Sequence, residues 1–115
     1  MNDTPLEKLG LTRGEVKVYL ALNELGEATV GPIGKSSKVS KSKIYDILEK
    51  LIEKGLVGYM VKDGTKYFVA NDPHMMLQYM NRKEQELSET KKEIETLLPQ
   101  LMLKRATAKQ QPLAE

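Results

Sequence analysis

The sequence contains no cysteine and no tryptophan, a single phenylalanine, and no apolar run longer than a few residues. Without thiols there are no disulfides and no thiolate-held metal site. The short apolar runs fall well below the roughly 20 residues that a membrane-spanning helix requires. The N-terminal stretch from Met1 to Leu11 carries Asp3 and Glu7 and no apolar segment of the kind that marks a secretory leader. A cytoplasmic protein with no membrane partner is therefore expected. A dominant sign of charge is also lacking: 18 basic residues against 16 acidic ones leave a net charge of +2. Where the charge sits, not its total, has to inform on partners. With 115 residues and 40 % hydrophobic content, the chain has the size and composition of one globular domain, and its core must be built from Leu, Ile, Val and Met.

The first strong signal is Thr12-Arg13-Gly14-Glu15, in which Thr12 and Glu15 can each satisfy an amide at a helix start. A helix is predicted from about Arg13 to Leu25, with Val18, Tyr19, Leu22 and Leu25 on its apolar side and Gly26 ending it. Leu9 and Leu11 are expected to pack just before it. Thr29 to Lys38, with Val30, Ile33 and two glycines, predicts a short and intrinsically weak helix. Ser40 is placed to cap a third helix running from Lys41 to about Lys54, with Ile44, Ile47, Leu48, Leu51 and Ile52 toward the core and Gly55 just beyond.

After Gly55 the pattern becomes extended. Leu56 to Lys62 and Thr65 to Ala70, separated by Asp63-Gly64, predict a hairpin, because a tight two-residue turn needs positive φ at both central positions. Asp72 and Pro73 then open a long helix from about His74 to Leu98 or beyond. In it Met80, Leu87, Ile94 and Leu101 recur every seven residues, while the companion row is mixed, whether taken as Lys83, Thr90 and Leu97 or as Glu84, Lys91 and Leu98. A thin coiled-coil seam is expected, with Met80, Leu87, Ile94, Leu97, Leu98 and Leu101 as dimerisation residues. Pro99 is expected to kink or end the helix, and a polar tail beyond it to fray.

Helix, short helix, helix and hairpin, in that order, is a winged helix-turn-helix, mainly α with a small β-hairpin, in which the third helix enters the DNA major groove. The organisation read from the sequence is residues 1–72 as the DNA-binding domain, 73–104 as the dimerisation helix and 105–115 as the tail. Between Ala28 and Tyr45 there are four lysines and no acid, so the charge concentrates around one helix start. Candidate DNA contacts are Lys35, Ser37, Lys38, Ser40, Lys41, Ser42, Lys43 and Tyr45, joined by Lys62 and Lys66 on the wing. Tyr45 serves equally as a phosphate or base-stacking contact or as a boundary residue beside the short helix, and Asp46 and Glu49 are expected to orient lysines. The competing reading of the lysines is a solvated face.

Leu9-Gly10-Leu11-Thr12 with Glu15, Val18 and Tyr19, then Ser42 through Leu51, then Lys54-Gly55-Leu56-Val57, resemble the N-terminal domain of the TrmB-like transcription regulators, a predominantly archaeal family. The resemblance extends from Leu9 to about Leu101. It implies a dimeric winged-helix DNA binder joined through the long helix. Many family members continue into a sugar-sensing domain, whereas this chain stops at Glu115, so a regulator without that domain is expected. The glycines in Val30-Gly31-Pro32-Ile33-Gly34 also depart from the family pattern.

Other chemistries fit less well. Thr29 to Ser36 approximates a phosphate-binding loop, but Thr29 stands where its first glycine belongs, the preceding segment reads as helix, and no later strand supplies a magnesium-holding acid. The sole histidine, His74, and the serines have no evident catalytic partners, so no catalytic residue, metal or cofactor is expected. Met60, Met75, Met76, Met80 and Met102 read as core or seam filling. The expected function is a sequence-specific, homodimeric DNA-binding regulator, with double-stranded DNA and a second copy as partners and repression as the simplest mode. A winged-helix protein-interaction module and an architectural chromatin protein are the alternatives.

Overall fold

The computed structural model describes residues 1–110 and contains five helices and a three-stranded sheet among them. The helices are α1 (Thr4–Lys8), α2 (Arg13–Leu25), α3 (Val30–Ser37), α4 (Lys41–Glu53) and α5 (Met75–Gln110). The strands are β1 (Glu27–Ala28), β2 (Val57–Lys62) and β3 (Thr65–Ala70), and the antiparallel sheet runs in the order β1-β3-β2. This is a mainly helical winged-helix architecture followed by a long helix. Residues 1–80 form one compact unit and the chain from Asn81 another.

The cap of α2 is the one read from the sequence. The Glu15 amide donates to Thr12 Oγ1 at 3.1 Å, the Thr12 amide donates to Glu15 Oε1 at 3.0 Å, and Gly26 ends the helix with φ +81°. Val18, Tyr19 and Leu22 are buried, whereas Leu25 is exposed on the last turn. Three side chains of α4, Ile44, Leu48 and Leu51, meet Val18, Leu22 and Ile33, and Leu56, Val57 and Phe68 close the core from the sheet. Each such side chain contributes about 1.5–3 kcal/mol by leaving water. Ile47 and Ile52 are only half-buried; a Cβ on Gly14 would lie 2.8 Å from Ile47 Cδ1, so the bare glycine lets α2 approach α4 closely.

The hairpin turns at Asp63 (φ +50°) and Gly64 (φ +77°), as the Asp-Gly pair requires. Its register pairs Tyr59 with Phe68, Val61 with Lys66 and Lys62 with Thr65. Because strand side chains alternate between faces, Lys66 shares a face with Tyr59 and Phe68, while Lys62 lies on the other.

Several expectations are corrected. The short α1 is an additional helix: Pro5 sits in its first turn, and Leu6 packs on the core. β1 is also additional, two residues held by pairing with Phe68 and Val69. The long helix begins after a turn in which the His74 amide donates to Asp72 Oδ1 at 2.8 Å. It does not end at Pro99 but continues to Gln110. Pro99 removes one backbone hydrogen bond, and the strong helix formers on both sides, Leu97, Leu98, Gln100 and Leu101, carry the helix across that gap. Residues 105–110 are thus helical, and the rest of the expected tail lies outside the described residues. Of the methionines, only Met76 packs against the core; Met60, Met75, Met80 and Met102 are exposed.

Candidate nucleic-acid interface

The turn between α3 and α4 is held by its own polar groups. Ser37 Oγ donates to the Gly34 carbonyl at 3.5 Å and accepts from the Val39 amide at 3.3 Å, and Lys38 ends α3 in the left-handed region at φ +62°. This corrects the reading of Ser37 as a surface contact: it is buried and engaged in the turn. Ser40 stands at the N-cap of α4, but its hydroxyl does not cap; it lies 3.3 Å from Ser42 Oγ. The first turn of α4 therefore keeps its amides without a side-chain acceptor and presents two hydroxyls beside them. The segment resembling a phosphate-binding loop is helix α3 instead.

Ile44, Leu48 and Leu51 anchor one side of α4, so Lys41, Ser42, Lys43, Tyr45, Asp46 and Glu49 are exposed. Lys41 and Tyr45 line a groove whose opposite wall is the wing, through Gly64, Thr65, Lys66 and Phe68, and whose floor is the start of α3 at Thr29, Val30 and Gly31. No acid lines it. Tyr45, 57 % exposed, is an open wall of this groove beside the start of α3. The Lys66 ammonium sits 4.7 Å from the centre of the Tyr59 ring.

Lys62, grouped with Lys66 in the sequence reading, is on the other face of the wing. It is paired with Glu27 on β1 and lies 5.3 Å from the centre of the Tyr67 ring. Lys35 is exposed on α3 and lines neither groove beside α4. Lys38, Ser40 and Lys43 lie on the side of α4 away from the wing, in a cleft completed by Gly14, Lys17, Val39 and Ile47. Lys17, on α2, escaped the sequence reading because the acid-free window that located the other lysines begins at Ala28. Among the described residues, Asp46 and Glu49 form no ion pair with a lysine, so they do not orient the basic groups as expected. His74 is exposed and hydrogen-bonded to Asp72, whose carboxyl is held below its usual range by the His74 backbone amide and ring.

Met80, Leu87, Ile94, Leu97, Leu98 and Leu101, expected to form a seam, are all exposed along α5. Among the described residues, no three His, Asp or Glu side chains gather as a metal site requires, and no helix is long and apolar enough to cross a membrane.

A helical head in which a hairpin wing stands beside a lysine-bearing helix start is a winged helix-turn-helix. The sequence model of the family described as "Sugar-specific transcriptional regulator TrmB" matches residues 6–74, more than half of the chain, and the chain belongs to that family. The family match thus ends short of Leu101. Over 73 residues the chain is 33 % identical to the HTH-type sugar sensing transcriptional regulator TrmBL1 of Pyrococcus furiosus, which takes in 64 % of this chain and 21 % of that protein. The chain therefore spans about a fifth of the length of that relative. Among solved structures, TrmBL2, described as an archaeal chromatin protein with a novel mode of DNA binding, shares the fold with a TM-score of 0.65 at 24 % identity, covering 98 % of this chain and 46 % of that one. A MarR family transcriptional regulator from Silicibacter pomeroyi shares it with a TM-score of 0.55 at 20 % identity, covering 86 % and 76 % of the two chains.

Proposed function

We propose that this chain binds double-stranded DNA as a transcription regulator, with α4 in the major groove and the wing on the flanking backbone. The observation that carries this is the acid-free groove lined by Lys41 and Tyr45 of α4 on one side and Lys66 of the wing on the other. Lysines so placed neutralise phosphates, while Ser42 and Tyr45 are within reach of base edges. A homodimer formed through α5 presents two such helices with two-fold symmetry, which calls for a palindromic site with half-sites about one helical turn, or a multiple of it, apart. Repression then follows from occupying a promoter.

The test is fluorescence anisotropy on a duplex across a range of salt concentrations. Wild type is expected to lose affinity steeply with salt, because each neutralised phosphate releases condensed counterions. Lys41→Glu combined with Lys66→Glu is expected to abolish that binding. Salt-independent or unchanged binding in the double variant overturns the reading and favours a protein-interaction module. A second DNA-binding mode is favoured by one observation: the charged groups lining the groove are lysines, whose phosphate contacts carry no sequence information. Architectural binding, in keeping with the description of TrmBL2 as an archaeal chromatin protein, is separated from regulation by selecting duplexes from a random pool. An enriched palindrome supports the regulator, and an unenriched pool supports the architectural protein.

A further inference from the structure

We propose that the cleft between α2 and the start of α4 is a second seat for a DNA backbone phosphate, held by Lys17, Lys38 and Lys43. The inference rests on the reading that α4 enters DNA, and it assigns to Lys17 a role that the lysine-rich segment alone does not reveal. Three elements converge here. Lys17 comes from the second turn of α2, Lys38 from the α3–α4 turn and Lys43 from the first turn of α4, and the cleft they line contains no acid. Among the described residues, none of the three ammonium groups has an ion-pair partner. Three lysines lining one acid-free cleft give it a positive potential that attracts an anion. Moreover, this cleft and the wing groove lie on opposite sides of the α4 start, so that a helix lying in the major groove meets backbone on both sides.

Lys38 allows charge and backbone to be tested apart. It holds a left-handed conformation, φ +62°, which a glycine or asparagine adopts with less strain. The turn that ends α3 there also sets Lys38 on the lining of the cleft beside Lys43. The two effects separate in one variant. Lys38→Gly relieves the strain and deletes the charge, so it is expected to raise the thermal midpoint while weakening DNA binding.

The experiment uses the full chain with a random-sequence duplex of about 20 base pairs, titrated at several salt concentrations between about 50 and 200 mM. Lys17→Gln and Lys38→Gly are each expected to reduce the steepness of log K against log salt by about 0.9, and to weaken binding roughly fivefold near 0.15 M salt. Lys92→Gln, an exposed lysine on α5, is the control and is expected to leave the slope unchanged. If Lys41→Gln lowers the slope while Lys17→Gln and Lys38→Gly match wild type, the phosphate seat is overturned and the α4 reading stands. If wild type itself shows no salt-dependent binding, both fall. A Lys38→Gly variant that gains stability with unchanged affinity removes Lys38 from the seat.

Discussion

Glu15 shows how one residue of α2 serves the whole head. Its carboxylate is almost fully buried, yet it caps its own helix through Thr12 and accepts from Lys54 Nζ at the far end of α4. Burial pushes its pKa up, but the hydrogen bond from Lys54, the Thr12 amide and the Lys54 charge together outweigh that and hold it below the ordinary value of 4.5. A lowered carboxylate pKa contributes stability that is fully present above the unfolded-state value and lost as pH falls through the folded one. The stability gap between wild type and Glu15→Gln is therefore expected to be widest above pH 4.5 and to narrow below it, which thermal melts across the acid range will measure. The partner side gives a sharper comparison. Lys54→Met leaves a buried carboxylate with only its cap, at a cost of about 2–4 kcal/mol, less than for a fully enclosed pair because Lys54 is partly exposed. Glu15→Gln leaves only an ammonium that reaches water, at about 1–2 kcal/mol. Urea denaturation that ranks the two variants the other way would refute the pair as the anchor between α2 and α4.

At the scale of elements, α5 holds the clearest test of local chemistry against context. Its passage through Pro99 leaves the Glu95 carbonyl without its usual amide partner. Relative to alanine, proline in a helix interior costs about 3 kcal/mol. Pro99→Ala is accordingly expected to slow amide hydrogen exchange at residues 100–103, and exchange equal to wild type would show that the helix is not weakest there. Elsewhere, what the sequence made legible was chemistry confined to a few neighbouring residues. The Thr12 and Glu15 box and the Asp63-Gly64 turn each act within four residues, and both stand where they were expected. What it hid depends on partners distant in the chain. β1 exists only because β3 runs beside it, and Leu25 reads as core by spacing yet faces out at the last turn. At the interface, the lysines of α4 were legible from charge alone, whereas Lys17 reaches the same helix start only through folding. The opposite faces of Lys62 and Lys66 were open to a register argument, since a two-residue turn sets Lys62 against Thr65 and turns Lys66 away.

For the whole molecule, the consequential question is whether, and in which direction, two copies pair as proposed. Leu87, Ile94 and Leu101 are exposed on α5 and repeat at the coiled-coil spacing, and Leu97 and Leu98 widen the apolar face toward its distal part. If the Met80, Leu87, Ile94 and Leu101 row forms the seam, Glu86 and Lys91 flank it at the positions that meet across a parallel, in-register pair. Glu86 of one copy then faces Lys91 of the other, twice over by symmetry. An antiparallel pair instead sets like positions opposite one another, with Glu86 and Glu93 both on the acidic side. For the proposed dimer, charge thus favours the parallel arrangement. Leu87→Glu with Ile94→Glu is expected to convert a two-chain species into a one-chain species in light scattering. Glu86→Lys alone is expected to weaken the dimer by about 0.5–1 kcal/mol per contact, and adding Lys91→Glu to restore it. Part of the single-variant effect comes from losing the Lys83 pair within the same helix, 3.6 Å away, but only the intermolecular contact is rebuilt by the second substitution. Failure of the double swap to recover the dimer argues against parallel pairing. A wild-type chain that scatters as a monomer at every concentration argues against the dimer itself.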